Sequence, residues 1–500
     1  MADYWPLAAG LLLGLAPRLI FQANGERRAS ATVFGVVAAA AVLLLRAFRT
    51  APNDDEVFYL ADSWAAHLGE TAGALPMRYL AFRPFLLPPW PPSAALVAGR
   101  VVMAISTVVC ALVAVRLARR LGSLPRDAAL AGVLTLVWVA NAGEGIVLRP
   151  EQLATTAVLV GIALLVAPPE RGRAGLVTGA AFLLLTLAAS LSHRRVALVP
   201  VALAVLLWIR GRGAWRSELR WAAAGVAAGL LPSLIYVVVA DSFASLWYWN
   251  WTFIVQHSWV PRAGLGTRFP VAPFLIGAAG AVLIPFTLPY ALGSWMALGL
   301  VLGARLASRL LPSPAAPAGQ RIYATAVAVL GLMPLLGPGV VRLVRSPPPV
   351  ASELALIDWL HEVAEGGTVA CVAPYHPIKA SNAWRLWNAW WYCYLRDPAF
   401  NRHLNPRLGE MLRSDEARLI EWDPWPQASG YRNALHYVVA NGFLTRREAQ
   451  ATVLDLRKNY RLVRWNGPLP DRFGGGRFLV LRSVPLDDRL VVLPEARIAP

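Results

Sequence analysis

Apolar runs dominate the first two-thirds of the chain. They recur at Trp5–Phe21, Ala31–Phe48, Ala94–Val115, Ala128–Ala140, Leu153–Ala167, Leu176–Leu191, Val196–Ile209, Trp221–Ala240, Val271 to Leu310 and Ile322–Val341. Runs of about 17–22 apolar residues cross a bilayer core as helices, because a helix satisfies all of its own backbone polar groups. The pattern predicts about ten spans over residues 1–345, with flanking residues completing the shorter ones. Trp5–Phe21 has no basic stretch ahead of it and no small-residue cleavage site behind it, so it reads as a span or surface helix. Ser346-Pro-Pro-Pro349 ends the apolar pattern. Beyond it, helical and strand-like periods alternate. Helices are predicted at Glu353–Glu362, Ala380–Leu395 and Arg446–Lys458, and strands at Thr368–Val372, Arg418–Trp422, Tyr460–Arg464 and Arg477–Arg482. The expected fold is a polytopic α-helical membrane domain, 1–345, followed by a small soluble α/β domain, 350–500.

Charge orients this picture. Only 15% of the residues are charged, against about 25% in soluble domains, yet the net charge is +18. Arg27/Arg28, Arg116/Arg119/Arg120/Arg126, Arg171/Arg173, Arg210/Arg212/Arg216/Arg220 and Arg305/Arg309/Arg321 all fall on one side if Val271–Leu310 crosses once. That side is then cytoplasmic. The opposite, extracytoplasmic side receives the 49–93 loop, the 141–152, 192–195 and 241–270 connections, and the C-terminal domain. This distribution argues against a nucleic-acid partner, for which basic residues would gather on one soluble face. The abundance of Arg, Ala, Leu, Gly and Pro, with Lys379 and Lys458 the only lysines, is that of a GC-rich bacterial genome. Cys110 lies in a span, while Cys371 and Cys393 share the soluble domain without forming a disulfide framework. His361-Glu362 lacks a second His four residues on, so it is no zinc motif.

Arg46, Arg49, Arg194, Arg195, Arg262 and Arg268 break the charge rule. Anion binding at the outer surface would give them a purpose, and headgroup snorkelling is the plainer one. The sharpest chemical feature is Asn53-Asp54-Asp55-Glu56, directly after a span. Crowded carboxylates raise one another's pKa, and a fixed carboxylate can take the proton of an attacking hydroxyl. The plain alternative is an acidic stretch that caps a following helix. Trp247, Tyr248, Trp249, Trp251 and Trp259 read as an interfacial helix, and Trp384, Trp387, Trp391 and Tyr394 as a packing stripe or an aromatic platform for substrate. Gly474-Gly475-Gly476 precedes a strand and reads as a turn, so no phosphate-cradling loop follows a strand here.

The order of these elements resembles the GT-C superfamily of membrane glycosyltransferases, which includes protein O-mannosyltransferases and aminoarabinose lipid A transferases. Asp55-Glu56 takes the place of that family's acidic pair in the first outer loop, followed by Tyr59 and Leu68-Gly69. A proline-rich stretch runs from Arg83-Pro84 to Pro92, Gly99-Arg100 opens the next span, and Arg119-Arg120-Leu121-Gly122 closes it. Arg149-Pro150-Glu151 matches an Arg-Pro-acid element at an outer hairpin. The resemblance covers about residues 30–270. Arg83 stands where relatives carry His, and His193-Arg194-Arg195 where they often carry Lys.

The resemblance implies an inverting glycosyltransferase of the bacterial inner membrane, acting at its outer face. A polyprenyl-phosphate-linked sugar would be the donor, and a glycan, lipid or protein the acceptor. It implies Asp55 as general base, with Asp54 or Glu56 helping or replacing it. Arg83, His193, Arg194, Arg195, Arg262 and Arg268 would hold the donor phosphate, with Arg149, Glu151 and Tyr59 supporting. No cofactor is required by this reading, and room is left for a divalent cation. Two rivals stand beside it: a transporter or flippase, which would place ionisable residues at the bilayer midplane, and a non-catalytic assembly protein on the same fold.

Overall fold

The computed structural model describes residues 47–48, 54–67, 76–142, 147–166, 173–191, 198–210, 215–239, 243–244, 293–310, 350–364, 367–370, 381–382, 417–423, 432–440, 444–469 and 476–498. The helices of the first part are α1 (Asp54–His67), α2 (Pro76–Phe82), α3 (Pro92–Arg120), α4 (Pro125–Ala142), α5 (Pro150–Val166), α6 (Ala174–Leu191), α7 (Leu198–Arg210), α8 (Trp215–Val239) and α9 (Gly293–Leu310). Among the described residues, α3, α6 and α8 are long and apolar enough to cross a membrane, and α5 is a shorter apolar helix. Their outward faces argue for lipid. Val102, Ile105 and Leu112 on α3, and Leu231, Leu234, Ile235, Val238 and Val239 on α8, are large apolar side chains left exposed. A continuous apolar face of that kind is costly in water and ordinary against acyl chains.

The sequence sets both ends of α3. Pro91 and Pro92 start it, where a missing N–H costs nothing. Gly122, at φ +85°, ends it. There the amide of Gly122 donates to Arg119 O and that of Ser123 to Ala118 O, a left-handed cap that glycine adopts without strain. Arg305 of α9 donates to Gly122 O, and Ser308 of α9 donates to Asp127 at 2.6 Å while accepting from Leu124 N at 2.9 Å. These bonds pin α9 to the turn between α3 and α4. α6 and α8 meet closely through glycines: Gly175 faces Trp221, Gly229 faces Leu183 and Thr186, and Gly179 faces Gly225. A Cβ on Gly225 would collide with the Gly179 carbonyl, so the two backbones lie in contact.

The span expectations at Ala94–Val115, Ala128–Ala140, Leu153–Ala167, Leu176–Leu191, Val196–Ile209 and Trp221–Ala240 correspond to α3 through α8. Of the Val271–Leu310 stretch, 293–310 is described and is helical. Trp5–Phe21, most of Ala31–Phe48, Ile322–Val341 and the aromatic groups at 247–259 and 384–394 lie outside the described residues. One expectation changes in kind: the 49–93 segment contains α1 and α2 and a 3-10 turn, Arg83–Phe85, rather than a plain loop.

The C-terminal part comprises α10 (Val350–Ala364), β1 (Thr368–Ala370), β2 (Ser381–Asn382), β3 (Ala417–Glu421), α11 (Ala434–Ala440), α12 (Arg446–Asn459), β4 (Tyr460–Trp465), β5 (Arg477–Leu481) and β6 (Leu490–Val492). The strands form one sheet in the order β2-β1-β3-β5-β4-β6, parallel from β2 to β3 and antiparallel beyond. Residues 381–382, expected within a helix, form the edge strand β2. Gly476, at φ +57°, enters β5 as the expected turn residue. Thr445 and Glu448 close a reciprocal cap on α12, each side chain bonded to the other's amide.

α10 is buried on two faces. Leu356, Trp359, Leu360 and Val363 pack on the sheet with Val369, Leu419, Val463, Trp465, Phe478 and Val480. Ile357, with Leu354 beside it, joins Val57, Leu60, Phe82, Leu86, Ala95 and Leu96 of the membrane part. The C-terminal part therefore sits at the N-terminal end of α3. It follows that cysteines placed at exposed Leu87 and Leu454, in a background lacking Cys110, Cys371 and Cys393, should react with an impermeant maleimide from one side of the membrane. A cysteine at Leu124, past the far end of α3, should react only from the other. Labelling of positions 87 and 454 from opposite sides would contradict this arrangement.

Candidate functional site

The acidic run opens α1. Asp54, Asp55 and Glu56 are its first three residues. Acidic residues suit this place because the first-turn amides lack intrahelical partners and carry partial positive charge.

Glu56 is fully buried and gripped by Arg100, itself 1% exposed, from the third turn of α3. Arg100 Nε donates to Glu56 Oε1 at 2.9 Å, and a terminal guanidinium nitrogen, Nη2, donates to Oε2 at 2.5 Å. The fork matches the carboxylate oxygen for oxygen, the geometry that makes such pairs strong. Oε1 also accepts the amide of Leu148 at 3.1 Å, and Arg100 reaches Ala47 O at 3.4 Å. Two charges removed from water need several such bonds, since desolvation costs several kcal/mol per ion. Here the bonds come from four chain segments: the start of α1, α3, the stretch ahead of α5, and Ala47. Gly99 makes the third possible, because a Cβ there would meet Leu148 carbons at 2.5–2.9 Å and push that residue away. Beneath the pair, Val57, Leu60, Phe82, Leu86, Ala95, Leu96, Met103 and Leu148 form an apolar floor.

The other expected site residues distribute as follows. Tyr59 is half-buried on α1, its ring 5.6 Å from Phe82, and its carbonyl accepts from Ser63 Oγ at 2.7 Å. Arg83 opens the 3-10 turn and is half-buried. Arg149 and Glu151 are both buried and flank Pro150 at the start of α5, next to the Leu148 amide that Glu56 holds. Below them the α3–α5 seam stays polar: Ser106 Oγ and Cys110 Sγ lie 2.5 and 3.1 Å from Thr156 Oγ1, and Gln152 Nε2 lies 3.7 Å from Cys110 Sγ. His193, Arg194, Arg195, Arg262 and Arg268 lie outside the described residues. So the structure brings Glu56 and the 149–151 element to one place on α3. Among the described residues no three His, Cys, Asp or Glu side chains gather as metal ligands.

Sequence reasoning quoted Arg100 only as part of a motif and gave it no partner. The signal was present: an arginine within an apolar span is costly unless a buried acid meets it. Asp358, whose carboxylate holds Ser93 at the start of α3, left no comparable trace.

Breaking the pair from one side leaves an uncompensated buried charge, at a cost of about 3–5 kcal/mol. Arg100→Met should therefore lower the thermal unfolding midpoint in detergent sharply and cut the yield of folded protein. Adding Glu56→Gln to that variant should restore much of the loss, because both charges are then gone. Equal midpoints for Arg100→Met and the parent would contradict a buried pair.

No protein-family model matches the chain, and no curated protein matches it. The fold search finds ArnT from Cupriavidus metallidurans, solved bound to undecaprenyl phosphate, at TM-score 0.44 and 15% identity, over 79% of this chain and 94% of that one. The apo form of the same protein matches at TM-score 0.44 and 16% identity, over 78% and 93%. The archaeal oligosaccharyltransferase AglB from Archaeoglobus fulgidus, solved with an inhibitory peptide and a dolichol-phosphate, matches at TM-score 0.39 and 9% identity, over 92% and 75%.

Proposed function

We propose that this chain is a membrane glycosyltransferase that moves a sugar from a polyprenyl-phosphate carrier to an acceptor hydroxyl at the extracytoplasmic face of the membrane. The observation that carries the proposal is the buried Glu56–Arg100 clamp. It fixes the first turn of α1, and with it the backbone of Asp54 and Asp55, at the end of a membrane-length helix. A general base must be held in place to within a fraction of an ångström, and a buried bidentate pair one residue away supplies that rigidity. Glu56 itself is committed to Arg100 and the Leu148 amide, which favours Asp55 or Asp54 over Glu56 as the group that meets substrate.

In the proposed step, the carboxylate of Asp55 accepts the acceptor's hydroxyl proton. The oxygen then forms its bond to the anomeric carbon from the face opposite the phosphate. The carbon–oxygen bond to the phosphate breaks, and the lipid phosphate leaves with the electron pair, with inversion at the sugar. Arginine suits the leaving phosphate because it stays charged beside lipid and binds phosphate oxygens in pairs. Arg83, at the turn between α2 and α3, is one candidate, and His193, Arg194, Arg195, Arg262 and Arg268 are the others. Arg149, Glu151 and Tyr59 take supporting positions around the clamp.

Purified protein in detergent, given a polyprenyl-phosphate sugar and a cell-envelope acceptor extract, tests the reading. Asp55→Asn should lower transfer by about 10²-fold or more, the usual contribution of a general base, with donor binding little changed. Arg194→Ala or Arg195→Ala should do the reverse and weaken donor retention. Full transfer by all three single amide variants, at Asp54, Asp55 and Glu56, would rule the mechanism out.

A further inference from the structure

The start of α3 poses an accounting question. Its N-cap is Pro91, which has no side-chain oxygen, and Pro92 has no amide hydrogen. The amide of Ser93 is therefore the first donor of the helix, and no residue just ahead of it in the chain serves as its cap. Asp358 serves it instead, from 265 residues away on α10. Asp358 Oδ1 accepts from Ser93 N at 2.9 Å, and Oδ2 accepts from Ser93 Oγ at 2.6 Å. A carboxylate at this end also meets the positive pole of the helix.

The same helix α10 is tied rigidly elsewhere. Trp359, the residue after Asp358, is buried in the soluble core with its ring 5.8 Å from Trp465 and 5.4 Å from Phe478. Ile357, the residue before, packs in the cluster that contains Val57 and Leu60 of α1. Ser93 in turn lies seven residues ahead of Arg100, two helical turns along the same face of α3. A turn or slide of α3 at Ser93 is thus passed to Arg100, and from Arg100 to Glu56 and the first turn of α1.

We propose that Asp358 is a positioning residue for the reaction put forward above: by capping α3 from the soluble domain, it sets the Arg100–Glu56 clamp and hence the place of the base. The inference rests on that functional reading for its kinetic consequence and not for its structural one. The soluble domain then takes part in the chemistry without touching substrate, and any partner that shifts the domain shifts the base.

The test compares the full-length protein with Asp358→Ala and Ser93→Ala variants by amide hydrogen exchange in detergent and by sugar transfer. Asp358→Ala should speed exchange at residues 93–96 and, through the clamp, at residues 54–60. It should lower kcat by about tenfold or more while the KM for the donor lipid moves by less than about twofold, as expected when a base is misplaced and substrate binding is intact. Ser93→Ala keeps the backbone bond and should give a smaller change of the same kind, and it carries both readouts if Asp358→Ala does not fold. Asp358→Asn retains an acceptor oxygen for the Ser93 amide and should fall between Asp358→Ala and the parent. Faster exchange confined to 93–96, or a folded Asp358→Ala variant with unchanged kcat, would overturn the positioning role. A parent protein without transferase activity would sink the functional reading instead, and the exchange at 54–60 would still decide whether Asp358 sets the clamp.

Discussion

The architecture around the candidate site depends on one buried ion pair. Arg100 sits within an apolar helix where an unmatched guanidinium would be costly, and Glu56 sits where an unmatched carboxylate would be equally so. Each makes the other tolerable. The geometry that achieves this draws in the Leu148 amide and the Ala47 carbonyl, so four points of the chain have a fixed relation to one another. A hydrophobic pair of similar volume would hold the helices together with less desolvation, but it would not fix rotation about the helix axes. A bidentate pair with a third, backbone partner fixes both.

Rigidity at that point has consequences in two directions. Towards the membrane interior, α3 continues as a smooth apolar helix with a polar seam against α5, and ends in a glycine cap held by α9. Towards the soluble domain, the proline-started end of α3 is completed by a carboxylate from α10. The helix that carries Arg100 is thus fastened at both ends by residues far away in sequence. α10 differs from an ordinary surface helix in packing on two faces: one meets the sheet core and the other the cluster that contains Val57 and Leu60.

The proposed chemistry fits a site of this construction. Transfer from a lipid phosphate needs no cofactor for electron flow, only a base held still, cations for the leaving group and access from the bilayer. In the proposal the acidic run at the start of α1 would supply the first. The arginines that break the charge rule supply candidates for the second. The exposed apolar residues of α3, among them Val102, Ile105 and Leu112, suit the approach of a lipid-linked donor that the proposal requires.

The membrane class was legible in the sequence because apolar runs of bilayer length have few other uses: six of the apolar runs coincide with helices α3 through α8, and three of these, α3, α6 and α8, are long and apolar enough to cross a membrane. Six of the C-terminal elements, the α10 and α12 helices and the β1, β3, β4 and β5 strands, were legible for the same reason: their side chains alternate or recur with the period of their own structure. The 49–93 segment was misread as loop because its prolines and short apolar stretches mask two helices that are held by packing rather than by periodicity. Residues 381–382 were misread as helix because a two-residue edge strand takes its conformation from its neighbour β1 and not from itself. The acidic run could be singled out by composition, but three adjacent carboxylates look alike on paper. The fold alone shows which partner Glu56 takes, because Arg100 comes within reach of it through helix packing across 44 residues. Asp358 was invisible for a stronger version of that reason: its partner is a backbone amide, a group every residue has, and distance in space alone chose which one.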